Sequence, residues 1–464
     1  QSLADQAAQL EPQLYARVGL RRLATPCTAS EAVSHGSQPH TPEEAADEAA
    51  LGALLGQYKR GWSLPPKFYN AEALHRMDMK KVWQTSWLFA GFTFQIPNTG
   101  DYFTYQIGDD SIIVIRDESG GISALYNACR HRGSKICTKE AGRATRLVCP
   151  YHQWTYAPDG RLLRAKWMEQ EGFRTEDFGL VRAKAEEVDG LVWISLADNP
   201  LPFEEARPII SNEIKPHEFH LAKAAHVADY DINANWKLVY ENNRDCYHCN
   251  VGHPEYIKAN YDTAFIYVKN ADGSFSRQTD PSVSNRDEIE NFMAEKTKEW
   301  QQMGLNTMCS PASSFPGAGW YRASRTPLRK GFVTESLDGK PVSNPLLGSF
   351  KDRDVGSMRV HTLPNFWIHA SGDHAVATRL TPAGPQKTKA RVWWLVHKDA
   401  KEGVDYTLDR LLPIWQRTSE QDWELCELNQ MGVNSSRHTP GLYSEKKEAG
   451  VDKFTQWYIK KMSA

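Results

Sequence analysis

The sequence predicts an α+β protein of two folded regions: a small antiparallel β-domain, then a larger region of antiparallel sheet and helices. Three observations carry this. The chain has 464 residues, 41% of them hydrophobic, which is more than one compact core usually holds. Between 86 and 198, apolar and polar residues alternate in short runs separated by glycine-containing turns. Beyond 200, strand-like runs mix with segments of helical period.

Taken in order, residues 1–57 are an N-terminal extension, helical or flexible, in which Thr41-Pro42-Glu43-Glu44 reads as a helix start. LPPKFYN at 64–70 is a turn-rich connector. AEALHRMDMKKVWQTSWLFA at 71–90 has the spacing of an amphipathic helix leading into a strand, so 58–85 is a helical lead-in belonging to the second region. DYFTYQIGDDSIIVIRDESGGISALYNAC gives antiparallel strands with turns at Gly108-Asp109-Asp110 and Ser119-Gly120-Gly121, and GLVWISLAD at 190–198 closes the β-domain. In 199–464, HLAKAAHVADYDINANWKLVYENNRDCYHC passes from strand to helix. GSMRVHTLPNFWIHASGDHAVATRLTP and KARVWWLVHKD read as strands. VDYTLDRLLPIWQRTSEQDWELCELNQMGV reads as one long helix with Leu408, Leu411, Leu412 and Trp415 in register.

Composition excludes several classes. A formal net charge of −2 offers no electrostatic footprint for nucleic acid. No run of 18 apolar residues and no signal-peptide core is present, so no membrane association is expected. Eight cysteines are sparse for this length and point to a reducing compartment, where Cys near His means metal more often than disulfide. A cytoplasmic protein is expected. The chain begins at Gln1, which keeps an organellar location after removal of a targeting peptide open.

Two constellations carry chemistry. In the first, Cys129-Arg130-His131 and Cys149-Pro150-Tyr151-His152 form two Cys/His pairs separated by residues 132–148. Thiolates and imidazoles suit iron or zinc. Two Cys on one iron and two His on the other make a Rieske [2Fe-2S] centre, whose neutral imidazoles raise its tendency to accept an electron. A Cys2His2 zinc site is the alternative. Zinc fingers, however, usually place two Cys at one end and two His at the other of a ββα unit.

In the second, NWKLVYENNRDCYHCNVGHPEY contains Asp245, His248 and His253. Asp245 and His248 are three apart and share a face if helical. His253, between Gly252 and Pro254, returns toward the same point after the helix ends. Two His and one carboxylate form a facial triad that leaves coordination positions open on Fe(II). Asp245, Asp422 and Asp373 are the candidate carboxylates. Cys246-x-x-Cys249 has redox-pair spacing, but lies in a His-rich segment without a preceding thioredoxin-type strand, and both are read as packing residues.

NACRHRGSKIC and LVCPYHQWTYAPDGRL resemble the Rieske domain of ring-hydroxylating and related non-haem iron oxygenases, and 200–464 resembles their catalytic domain. The likeness spans about residues 58–464. In NWKLVYENNRDCYHCNVGHPE, in GWYRASRTPL with the following DGKPV, and in SEQDWELCELNQMGVNSS, it is nearest the branch acting on quaternary ammonium compounds, the glycine betaine, proline betaine and carnitine oxygenases. The resemblance implies a Rieske β-domain at 86–198 and a helix-grip-like catalytic domain at 199–464. It implies a cluster on Cys129, His131, Cys149 and His152, and mononuclear Fe(II) on His248, His253 and Asp422. Asp245, commonly Glu in this branch, is then a catalytic bridging carboxylate, bonded to an iron-ligating His and to a Rieske His of the neighbouring subunit in a homotrimer. Tyr151 stands where high-potential Rieske proteins carry a disulfide cysteine, so Cys137 is a small buried residue without such a partner.

The implied activity is O2-dependent monooxygenation, with electrons from NAD(P)H through a flavin/ferredoxin-type reductase, releasing formaldehyde from an N-methyl group. A quaternary ammonium has no N–H and needs aromatic faces. Trp320, Tyr321, Phe366 and Trp367 are candidates. Arg322 or Arg325 is a candidate for a substrate carboxylate. The competing readings are an aromatic ring-hydroxylating dioxygenase, with the same metals but a cis-diol product, a non-enzymatic zinc-binding module, and a pure electron carrier.

Overall fold

The computed structural model describes residues 41–271, 275–305 and 319–464. Expectations for residues 1–40 lie outside this range. The helix Pro42–Leu55 begins where expected. The Thr41 N–H donates to Glu44 Oε2 at 2.9 Å and the Glu44 N–H to Thr41 Oγ1 at 3.2 Å, a reciprocal cap with Pro42 in the first turn.

The lead-in is helical over Glu72–Asp78 and passes through a π-helical turn, Met79–Trp83, before the first strand. Asp78 is fully buried and accepts from Trp236 Nε1 at 2.9 Å, from the Tyr458 hydroxyl at 2.6 Å and from Lys237 Nζ. One carboxylate thereby ties the lead-in to the helices Trp236–Arg244 and Ala449–Met462.

Seven strands form the first sheet, ordered β1 (Leu88–Phe92), β10 (Leu191–Ser195), β9 (Arg182–Val188), β4 (Ile122–Tyr126), β3 (Asp110–Arg116), β2 (Asp101–Ile107) and β5 (Ala141–Arg143). Its two predicted turns place Gly108 at φ +56 and Gly120 at φ +80, a region that glycine enters without a Cβ clash. A small sheet of β6 (Leu147–Val148), β7 (Thr155–Tyr156) and β8 (Leu162–Arg164) carries the second Cys/His pair at its tip.

The second large sheet has the order β11 (Ala222–Ile232), β18 (Lys387–His397), β17 (Ala375–Gly384), β16 (Phe366–Ala370), β15 (Ser357–Thr362) and β14 (Tyr321–Thr326), all antiparallel. A separate hairpin pairs β12 (Phe265–Lys269) with β13 (Phe275–Thr279). The two large sheets share a core. Phe89 stacks on Phe366 with ring centres 3.9 Å apart, and the Asn365 amide bonds both the N–H and the C=O of Phe89.

Residues directly opposite in an antiparallel sheet project to the same face. Arg322, His361, Trp367 and Thr378 are register partners in sequence across β14–β17. Ser324, Arg359, His369 and Val376 form the next row. The intervening residues Tyr321, Ala323, Val360, Phe366, Ile368 and Ala377 face the shared core.

The predicted long C-terminal helix is two helices, Leu408–Leu411 and Pro413–Val433. Pro413 lacks an N–H and clashes with the preceding turn, so the second helix starts there instead of continuing. The face that matters is therefore not the leucine register but Trp415, Thr418, Ser419, Asp422 and Trp423, spaced as one helical stripe and turned toward the sheet rows.

Candidate metal centres

The two Cys/His loops are built alike. The Gly133 N–H donates to the Cys129 C=O at 2.8 Å and the Gln153 N–H to the Cys149 C=O at 3.0 Å. Each cysteine N–H returns five residues on, to the C=O of Ser134 at 2.9 Å or of Trp154 at 2.8 Å. Gly133 and Gln153, the fourth residues on, both have positive φ, at +77 and +60. These tight turns aim the two loop tips at each other. Cys129 and Cys149 are buried, whereas His131 is half-buried and His152 exposed, with their Nδ1 atoms 3.2 Å apart.

The surroundings of the two sulfurs act in opposite directions. Burial opposes ionisation of Cys149, but the N–H groups of Tyr151 and His152 bring it below its ordinary value. Burial pushes Cys129 up, against the Tyr156 hydroxyl 3.2 Å from its sulfur. That hydroxyl also accepts the Arg130 N–H at 3.1 Å. His131 stacks on Trp154 at 4.9 Å and 9°, and Tyr151 covers His152 at 3.8 Å. Two converging imidazole nitrogens over two hydrogen-bonded sulfurs fit a [2Fe-2S] cluster with its His side toward solvent. Cys137 is buried and free, with its thiol pushed up to about 11 by burial.

Asp245 and His248 do not share a helix, although their spacing allowed one. The helix capped by the Asn235 side chain ends at Arg244. Asp245 turns the chain outward, with Oδ1 accepting the Tyr247 N–H at 2.5 Å. His248 opens the four-residue helix Cys249–Gly252, and His253 follows it. The predicted convergence nevertheless occurs. His248 Nε2 and His253 Nε2 lie 3.1 Å apart, and Asp422 Oδ1 is 3.3 Å from the first and 2.8 Å from the second.

The far nitrogens are also tied. His248 Nδ1 meets Asp245 Oδ2 at 3.0 Å, and His253 Nδ1 meets Gln421 Oε1 at 2.9 Å. With the Nδ1 atoms turned to Asp245 and Gln421, the two Nε2 atoms and a carboxylate oxygen face one point, an arrangement that suits a cation. Burial opposes charge on His248, but bonds to Asp245 and Asp422 bring it up to about 9. Burial likewise opposes ionisation of Asp422, yet bonds from both imidazoles hold it below its ordinary value. The donor set fits a 2-His-1-carboxylate site for Fe(II).

Two alternatives fall away. Asp373 is buried elsewhere, accepting from Thr334 Oγ1 at 2.6 Å and the Val342 N–H at 2.9 Å. Cys249 lies beside the imidazoles, but its sulfur forms a disulfide with Cys246. That corrects the reading of these cysteines as simple packing residues.

A cavity of about 130 Å³ opens over the triad. Of the four aromatic candidates, only Trp367 reaches it. Tyr321 and Phe366 face the core, and Trp320 packs on Phe203 at 5.5 Å. The other two cavity indoles are Trp415 and Trp423, the latter 6.5 Å from Trp367. Arg322 lines the cavity, whereas Arg325 lies on the opposite face, bonded to the Val355 C=O at 2.9 Å and paired with Glu213. Residue-by-residue reading missed Gln421, Tyr156, Trp415 and Trp423. The stripe 415-418-419-422-423 is a signal that marks the indoles.

Comparison with known proteins decides the family. The model for the ring hydroxylating alpha subunit catalytic domain matches residues 219–464, and that for the Rieske [2Fe-2S] domain matches 86–177. The chain belongs to the Rieske non-haem iron oxygenases. Among its relatives, the glycine betaine monooxygenase oxygenase subunit of Chromohalobacter salexigens is 39% identical over 414 residues, covering 89% of each chain. That of Pseudomonas aeruginosa is 39% identical over 413 residues, covering 89% of this chain and 92% of the other. This oxygenase also shares its fold with the quaternary ammonium monooxygenase CntA in complex with L-carnitine. The TM-score is 0.63 at 18% identity, with 91% of this chain and 99% of the other covered. This oxygenase is thus an oxygenase subunit of the Rieske non-haem iron monooxygenase type. Among its described residues, no helix is long and apolar enough to cross a membrane.

Proposed function

We propose that this oxygenase removes an N-methyl group, as formaldehyde, from a quaternary ammonium substrate such as glycine betaine, using O2 and NAD(P)H-derived electrons from a flavin/ferredoxin-type reductase. The observation that carries this is the cavity, in which Trp367, Trp415 and Trp423 surround a small space at the His248–His253–Asp422 triad. Indole faces attract a cation that cannot be hydrogen-bonded. At about 130 Å³ the space is well below the ~300–1,000 Å³ of pockets for drug-sized ligands, which favours a compact substrate over a polycyclic one. The names of the most similar relatives agree.

In this reading Cys129, His131, Cys149 and His152 hold the cluster, and His248, His253 and Asp422 hold the mononuclear iron. When bound, the two centres supply one-electron transfer and dioxygen activation. The protein supplies the rest. Asp245 and Gln421 keep both imidazoles in the Nδ1–H tautomer, with Nε2 free to ligate. The indoles hold the ammonium and exclude water from the reacting methyl. The exposed edges of His131 and His152 give electrons a short way in and out. In this reading Asp245, only partly covered, also accepts a bond from a Rieske His of a neighbouring subunit in a homotrimer.

The test is a betaine panel with the metal-loaded oxygenase, a reductase and NADH. Formaldehyde in step with substrate loss is expected, together with a trimeric mass in solution. A cis-diol from aromatic substrates, with no formaldehyde from any amine, would replace this reading with ring dihydroxylation.

A further inference from the structure

The cavity has one buried cation with no bonded counter-charge among the described residues. Arg322 projects from β14 into it at 7% exposure, and its Nε is buried without a hydrogen-bond partner. Among the described residues, no carboxylate or other acceptor bonds its guanidinium. The neighbouring arginines differ. Arg359 Nη1 and Nη2 bond the two oxygens of Asp262 at 2.7 and 2.9 Å, and Arg277 reaches the same carboxylate at 3.0 Å. One acid thus serves two cations and leaves nothing for the third. Burial, together with the charges of Arg244, Arg277 and Arg359, pushes Arg322 down to about 9. It still carries its charge near neutrality.

A charge is rarely buried unpaired, because its lost hydration must be offset by a partner. Here the missing partner belongs to whatever fills the cavity. Arg322 and Trp367 stand in one cross-sheet row, two strands apart. At ~4.8 Å between strands, their Cα atoms are about 10 Å apart. A planar guanidinium at one end and indole faces at the other match a compact molecule with a carboxylate and an ammonium joined by a short spacer.

We propose that Arg322 is the anion-recognition residue of this cavity, and that the oxygenase selects zwitterionic, carboxylate-bearing quaternary amines over those lacking the anion. The inference rests on the demethylation reading above and narrows its substrate class. A quaternary amine without an anion brings a second positive charge toward Arg322 and leaves the guanidinium unpaired. Both effects disfavour it.

The experiment compares glycine betaine, its uncharged amide and choline with the reconstituted holoenzyme, reductase and NADH. A kcat/KM for the betaine about a hundredfold or more above both analogues is expected. Arg322→Gln should raise KM for the betaine about a hundredfold, with a smaller effect on kcat and on amide turnover. Arg322→Lys should restore part of the loss. Calorimetric titration of the loaded protein with betaine and amide, without reductase, gives an independent readout. Equal binding and equal turnover of betaine and amide by the wild type would overturn the proposal while leaving demethylation standing. Absence of formaldehyde from every amine would remove the demethylase reading, and the titration would then judge the anion site alone. If Arg322→Gln fails to fold, the wild-type preference decides.

Discussion

Asp245 Oδ2 lies 3.0 Å from Nδ1 of His248, and the local chain path fixes that contact. The helix has just ended at Arg244, and the second carboxylate oxygen is held by the Tyr247 N–H. Asp245→Ala is therefore expected to leave the cluster intact and much of the mononuclear iron in place, while coupled turnover falls by about 10–100-fold or more. Iron and acid-labile sulfide analysis, with formaldehyde formed per NADH consumed, measures this. Near-normal coupling would remove Asp245 from the electron path.

Asp422→Ala should lose mononuclear iron and keep the visible spectrum of the cluster, because one Oδ1 faces both Nε2 atoms. Asp373→Ala should do the opposite. Its carboxylate holds Thr334 and the backbone around Val342, so stability falls while iron loading is retained. Elemental analysis of the two variants separates the roles. Mononuclear iron lost from Asp373→Ala but not from Asp422→Ala would reverse the assignment.

Asp78→Ala leaves Lys237 buried and uncompensated. A loss of about 3–5 kcal/mol is expected, as for other broken buried ion pairs. Lys237→Met on that background should recover part of it. Urea unfolding of the single and double variants gives the coupling, and additive effects would show that the pair is not linked.

Stability should also depend on Glu241. Burial pushes its carboxyl up to about 8, with Tyr69 donating to it at 3.0 Å. The folded chain thus keeps a proton that the unfolded chain releases near 4.5. This contribution is fully present below the unfolded value and is lost as pH rises through about 8. Glu241→Gln should flatten that fall. Melting curves of both proteins across this range test it, and parallel pH profiles would refute it.

Tyr156→Phe removes a hydroxyl 3.2 Å from Cys129 Sγ. Hydrogen bonds to cluster sulfurs favour the reduced state, so the reduction potential should become more negative. Redox titration followed by EPR checks the direction.

Much of this was legible in the sequence, for physical reasons. The Cys/His pairs are short-range motifs, and the loop turns around them are local. Alternation at 101–129 identified β2–β4 because side-chain period follows directly from strand geometry. What stayed hidden depends on long-range register. Nothing near Tyr321 or Phe366 says that these rings face the core while Trp367 faces the cavity. That division is set by pairing across β14–β17. Gln421 was missed because its partner is distant in sequence, and the helix that would give Asp245 and His248 one face ends at Arg244, one residue before the pair begins.

The two-residue period of β14–β17 also bears on how such enzymes diversify. Neighbours along each strand answer to different demands, one to the framework and the next to the ligand. A point change at His361 or Thr378 alters the cavity wall while the adjoining core residues remain as they were. Chemical taste and structural integrity can therefore drift on separate clocks within one strand.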